Sequence, residues 1–239
     1  MKNISAITYK ELLIYFSSPM AYIIAGVFFT LTGVFFVTSI EGAFAEASAR
    51  ALFSNATYFL MPLIPPLLTM RLLAEEQKLG TLELLLTSPI RDYEIVVAKF
   101  LASFIILLAM TLFTLFYMLL LVVYQANPDI GPMISTYVGF ILYAMVALSI
   151  GLLASSLTTN QIVAASVGFG IIFLFTILQR INEVIDGPIA TLIEHLSLLS
   201  HFESFSRGVM DTKDIAYFIV MTAIFLFLTI RSLESRRWR

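Results

Sequence analysis
Few residues in this chain have the types and spacing that chemistry needs. The two histidines, His195 and His201, stand near Glu194 and Glu203. Imidazoles beside carboxylates can hold a divalent metal. No H-E-x-x-H or other ligand spacing supports that here, and such groups on an amphipathic surface are ordinarily solvated. There is no cysteine, which excludes disulfides and thiolate metal sites. No G-x-x-x-x-G-K-[ST] loop occurs to cradle ATP phosphates, and no Ser/His/Asp grouping lies within the apolar segments. The expectation is a non-enzyme that binds no metal or cofactor itself.

One stretch does gather charge, glycine, hydroxyls and proline. It runs from Glu75 to Ile90, EEQKLGTLELLLTSPI, between two oily segments. Gly80 suits the left-handed residue that stops a helix. Thr81 can then cap a new short helix over 80–88, with Glu83 favourably placed at its positive end. Leu79, Leu82, Leu85 and Leu86 fall on one stripe, with Glu83 and Thr87 opposite and Leu84 towards that polar side. Ser88-Pro89 reads as the cap and first residue of the next helix. The lower face, with a leucine among its charges, suits docking into a groove on a soluble partner; the plainer alternative is an interfacial helix that only closes a loop.

The elements that position this stretch follow from composition. The chain has 239 residues, 59% hydrophobic and 13% charged, with mean hydropathy +0.94. About a quarter of a soluble domain is charged, so this is the composition of an all-α integral membrane protein. A crossing needs about 20 apolar residues. The uncharged runs supply six, near 20–40, 54–72, 98–124, 133–154, 162–179 and 214–231, with Ser155 to Gln161 as a polar turn. Six crossings put both termini on one side. Placing them in the cytoplasm puts ten of the 14 Lys and Arg inside and nine of the 16 acids outside, as the positive-inside rule requires. The location expected is a plasma (inner) membrane, with multiple passes and both termini cytoplasmic. A cleaved leader is not expected, because the first apolar run is too long for one.

Several features go beyond spanning. Residues 1–18 mix apolar and charged side chains up to Ser17-Ser18-Pro19 and read as an amphipathic interface helix, with a frayed tail as the alternative. Span 2 carries Pro62, Pro65 and Pro66, each removing a backbone donor, so a kinked or broken helix is expected. That makes Thr57, Met61 and the prolines candidates for a gate, or else for a static packing kink. Span 5 carries small residues at Ala164/Gly168 and Ser166/Gly170, which let helices approach closely within one chain or between two. Residues 187–208 read as an outer amphipathic helical hairpin, its second helix opened by a capping box at Ser200 and Glu203. The span interiors lack ionisable groups, which argues against self-powered transport. Energy for any uphill movement must then come from a partner.

The residues Arg71, Glu75-Glu76, Lys78-Leu79-Gly80-Thr81-Leu82-Glu83-Leu84-Leu85, Ser88-Pro89-Ile90 and Lys99 resemble the cytoplasmic signature of ABC-2 type transporter permeases. The interface helix, six spans and outer segment are also similar to that family, over essentially the whole chain. Within it the likeness is greatest to permeases of gliding motility and nitrous-oxide-reductase maturation. The resemblance implies the transmembrane subunit of an ATP-driven exporter that dimerises in membrane lipid. It further implies that a separate P-loop ATPase subunit carries ATP and Mg and that no nucleic acid is involved. Glu75, Glu76, Lys78, Gly80, Thr81, Glu83, Leu84, Ser88 and Pro89 would form the ATPase-coupling interface. Thr57, Met61, Pro62, Pro65, Pro66, Ser166, Gly168 and Gly170 would flank the path. The competing expectation is a membrane scaffold or anchor subunit with no path of its own.

Overall fold
In lipid an apolar segment can satisfy its backbone only through intrahelical hydrogen bonds or a closed barrel. The structure, a computed structural model, describes residues 2–41, 49–87, 90–123, 130–182 and 193–237. Among these the regular elements are all helices: α1 Lys2–Ser17, α2 Pro19–Glu41, α3 Ala49–Lys78, α4 Thr81–Thr87, α5 Asp92–Phe113, α6 Leu115–Val123, α7 Ile130–Leu157, α8 Gln161–Asn182, α9 Leu198–Ser206 and α10 Thr212–Arg237. Six stretches are long and apolar enough to cross a membrane: Pro19–Ser39, Leu52–Lys78, Asp92–Leu121, Ile130–Leu157, Gln161–Ile181 and Thr212–Ser235. The third crossing is α5 and α6 in series. They meet at Thr114, whose hydroxyl donates to Thr111 O at 2.6 Å and lies 3.1 Å from the Tyr137 hydroxyl.

In α3 and α7, 72% of the most apolar 18-residue stretch is buried, against 17–33% in the other four crossings. These two helices are therefore the axis of the bundle, and α2, α5, α8 and α10 surround them. Their contact is close because Gly151 has no side chain: a Cβ there would run into Thr69 Oγ1 and lie 3.3 Å from Pro66 Cα. Gly168 of α8 completes the junction, where a Cβ would stand 3.3 Å from Pro66 Cβ and 3.4 Å from Gly151 Cα. Small residues allow this approach where lipid gives no hydrophobic drive. So the Ala164/Gly168 face of α8 meets its own chain, and Ala164 is buried with Met70 and Ala74. The Ser166/Gly170 face is exposed.

Two features bear on expectation. Helix α3 is continuous through Pro62, Pro65 and Pro66 and not broken there, and all three prolines are buried. The polar turn also comes later, because α7 continues through Ser155 and Ser156 to Leu157. Those hydroxyls find partners on neighbouring helices, so they can stay in the helix and be buried. Asn160 then caps α8, its Oδ1 accepting from Ile162 N at 2.9 Å.

At the end of the bundle away from both termini, α9 folds back over α7. Its cap is Ser197, not Ser200: Ser197 Oγ accepts from Ser200 N at 3.2 Å. Glu203 is thus inside the helix, and Gly208, at φ +90°, follows its end. Ser135 Oγ donates to Phe205 O at 2.5 Å, and Gly139 leaves room for the Phe205 ring. His201 Nδ1 lies 2.7 Å from Asp214 Oδ1, and the His201 ring stacks on Tyr217 at 3.8 Å. These contacts tie α9 to α7 and α10. The expected first helix of the hairpin lies mostly outside the described residues, although 193–196 are helical.

Candidate functional site
The charged residues of the near end, where both termini lie, do not simply face water. Lys99, two turns into α5, is 1% exposed and meets Glu11 Oε1 of α1 at 2.8 Å and Glu76 Oε1 of α3 at 2.9 Å. Lys10 adds a second cation 3.5 Å from Glu76. A buried ion needs compensation from close partners, and here three helices contribute. Beside this cluster Tyr15 donates to Leu68 O at 2.5 Å, and the Arg71 guanidinium stacks 4.2 Å from its ring centre. Burial pushes the Tyr15 phenol well above its ordinary range, so it stays a donor. Thr8 Oγ1 donates to Ala98 O at 3.2 Å. Helix α1 is therefore fastened to the bundle along Thr8, Glu11 and Tyr15, while Tyr9, Leu13 and Phe16 are exposed on other faces.

A second attachment lies one helix away. Ser155 Oγ of α7 accepts from Leu73 N at 3.1 Å and Ala74 N at 3.0 Å, and donates to Met70 O at 2.9 Å. The hydroxyl stands between Met70 O and Ala74 N, partners in a regular α-helical ladder. Gln77 Nε2 donates to Ser156 O at 3.0 Å. The last turns of α3 are thus bonded to α7.

From this anchored end the chain turns at Gly80, whose φ of +71° is the left-handed value that favours glycine. Helix α4 follows at Thr81. The Thr81 hydroxyl does not cap it but donates back to Glu76 O at 3.3 Å. Leu82 is 4% exposed and Leu85 packs against the core, whereas Leu84 is 72% exposed beside exposed Glu83 and Thr87. Leu79 departs from the expected stripe and is 66% exposed. It sits in the turn before Gly80, so helical periodicity does not carry through it. Ser88 and Pro89 lie outside the described residues. The next helix, α5, is capped at Arg91, whose N–H donates to Glu94 Oε2 at 3.0 Å.

The expected coupling residues therefore separate. Thr81, Glu83, Leu84 and Lys78 are exposed, Glu75 is half-buried, and Glu76 turns inward to Lys99. Sequence reading missed Ser155, which looked like turn material. It also missed the inward role of Glu11, whose only signal is a carboxylate on the same helical stripe as Thr8 and Tyr15.

Of the gate candidates, Thr57 is fully buried, and among the described residues its hydroxyl has no hydrogen-bond partner. Met61 is 1% exposed. Pro66 also borders a groove of about 240 Å³ with Leu63, Leu67, Ala165, Ser166 and Phe169. Ser166 donates to Ile162 O at 2.9 Å.

The far end carries a larger cleft of about 570 Å³ between α3, α8 and α9. Arg180 stands 6.0 Å from the Tyr58 ring centre there. Glu203 Oε1 accepts from Arg207 Nη2 at 2.5 Å, and its Oε2 accepts from Gln179 Nε2 at 3.1 Å. Near this end, Asp211 is held below the usual carboxylate range by its hydrogen bond from the Lys213 side chain.

The family model described as ABC-2 family transporter protein matches residues 2–238. No curated protein matches the chain.

Proposed function
The chain belongs to the ABC-2 transporter protein family, and on that premise we propose that it is the permease subunit of an ATP-driven exporter. In this reading it sits in a plasma (inner) membrane with its termini and α4 in the cytoplasm, and a separate P-loop ATPase subunit docks beneath α4. The permease pairs with a second permease subunit, and hydrolysis by the ATPase drives the cargo across. This chain binds no nucleotide and catalyses no reaction; ATP and Mg belong to the partner.

One observation carries the reading. Helix α4 has Leu82 buried while Leu84 is 72% exposed beside Glu83, and it follows α3 at a point where α3 is bonded to both α5 and α7. An exposed leucine beside a carboxylate suits a groove on a soluble protein. A rigid root lets a displacement of α4 reach the bundle axis instead of being lost in a loop. The gate would then lie along α3, near Thr57 and Met61.

Co-expression with a P-loop ATPase, followed by co-purification and hydrolysis assays, tests the proposal. The expected result is a stable complex whose hydrolysis rate responds to the permease and which moves cargo in vesicles. A stable complex with no transport and no response of hydrolysis would make the chain a membrane anchor instead.

A further inference from the structure
We propose that the furrow between α3 and α8 holds one anionic phospholipid of the bilayer face at the near end. Its phosphate lies against Arg71 and Lys78, and an acyl chain fills the groove above them. That upper part is the groove of about 240 Å³ walled by Leu63, Leu67, Ser166 and Phe169. The lower part is a cleft of about 480 Å³ between Lys78 and the polar turn at Asn160 and Gln161, with Ile162 on its wall.

Helical register joins the two parts. On α3, Arg71 and Lys78 fall within about 40° of Leu67 around the helix, and about 6 Å and about 16 Å beyond it along the axis. On α8, Ile162, Ser166 and Phe169 are four and three residues apart, again one face. Depth then decides what the furrow can hold. The crossing stretches of α3 and α8 reach Lys78 and Gln161, so the lower cleft stands at headgroup level and the groove faces hydrocarbon.

Charge selects among lipids. Lys78 is exposed and Arg71 half-buried, and among the described residues neither makes an ion pair. Stacking on Tyr15 holds the Arg71 guanidinium without neutralising it. Of the neighbouring carboxylates, Glu76 turns away to Lys99 and Lys10. Glu75 stays at the edge of the stripe, which leaves an excess of one cation. An anionic headgroup complements that excess, whereas phosphatidylcholine brings a cation of its own beside it. The proposal requires that α3 and α8 cross a bilayer, not that the chain couples to an ATPase. Lys78 precedes the turn at Gly80, so Glu83 and Leu84 remain for a docking partner.

The test is native mass spectrometry of the full chain in detergent without any ATPase, so that a failure of coupling cannot be confused with a failure of binding. The probes are palmitoyl-oleoyl-phosphatidylglycerol and the matching phosphatidylcholine. One phosphatidylglycerol should be retained, bound at least tenfold more tightly than phosphatidylcholine. Lys78→Gln and Arg71→Gln should each weaken it about tenfold, the order expected for losing one charge-assisted hydrogen bond. Ser166→Trp, at an exposed position, should weaken it by a similar factor because the chain loses its groove. Arg231→Gln, a 62% exposed arginine at the same end of the bundle, should change nothing. Equal retention of the two lipids, undiminished binding by Lys78→Gln, or an equal loss by Arg231→Gln overturns the proposal. So does a Ser166→Trp variant that sheds a second copy of the chain and keeps its lipid, since the furrow would then be a protein interface.

Discussion
Lys99 meets two carboxylates with one ammonium, and 1% exposure leaves it almost no water. Removing one member of a buried ion group strands the others, at a typical cost of about 3 kcal/mol or more. Lys99→Met should therefore lower the unfolding free energy in detergent by about 3 kcal/mol, read from the denaturation midpoint. Adding Glu11→Gln and Glu76→Gln to it should restore part of that loss, because no stranded carboxylate remains. An equal or larger loss in the triple variant would show that packing, not charge, holds the three helices. Gly139 gives a steric counterpart at the far end. A Cβ there would stand 2.5 Å from Phe205 Cβ, a distance real side chains do not adopt. Gly139→Ala should displace α9 and cost about 1–3 kcal/mol, with faster proteolysis near Gly208 as the local readout.

Helix α4 is short, and its two faces have separate duties. Leu82 and Leu85 hold it to the bundle, while Glu83 and Leu84 face outward. Changing the outward pair, Glu83→Ala with Leu84→Asp, should leave insertion and thermal stability intact. It should weaken co-purification of the ATPase by about tenfold or more, as loss of a central contact does in other interfaces. Unchanged co-purification and unchanged hydrolysis would remove α4 from the coupling role. Much of this helix was legible in the sequence. Gly80 announced the turn, and the leucine spacing marked the inward face from Leu82 onward. Leu79 was misassigned because a left-handed residue resets the helical phase, so a stripe cannot be read across it. Ser155 was illegible for a different reason. Serines favour turns in sequence, and only the neighbouring α3 shows that this one completes another helix's hydrogen bonds.

Across the whole bundle, the six crossings were evident because uncharged runs of this length have few other uses. Their arrangement was not: nothing in the runs distinguishes α3 and α7 as the axis, since that depends on Gly151, Thr69 and Pro66 meeting. A moving gate along α3 predicts a difference between states. Thr57→Cys and Met61→Cys, both buried here, should be inert to a water-soluble thiol reagent without nucleotide and reactive in an ATP-trapped complex. The chain has no native cysteine to interfere, and Val209→Cys, at a 57% exposed position, serves as the reactive control. Identical labelling in both states would leave the prolines a packing role only. The Ser155 bonds carry a last consequence for such motion. Leu73 and Ala74 both donate their amides to a hydroxyl of α7, so these two amides are a natural strain gauge. If α3 and α7 part during a cycle, their deuterium uptake should rise before that of amides higher in α3. If the two helices move as one piece, it should stay slow throughout. The timing of that exchange separates a rocking bundle from a hinging one without any label on the protein.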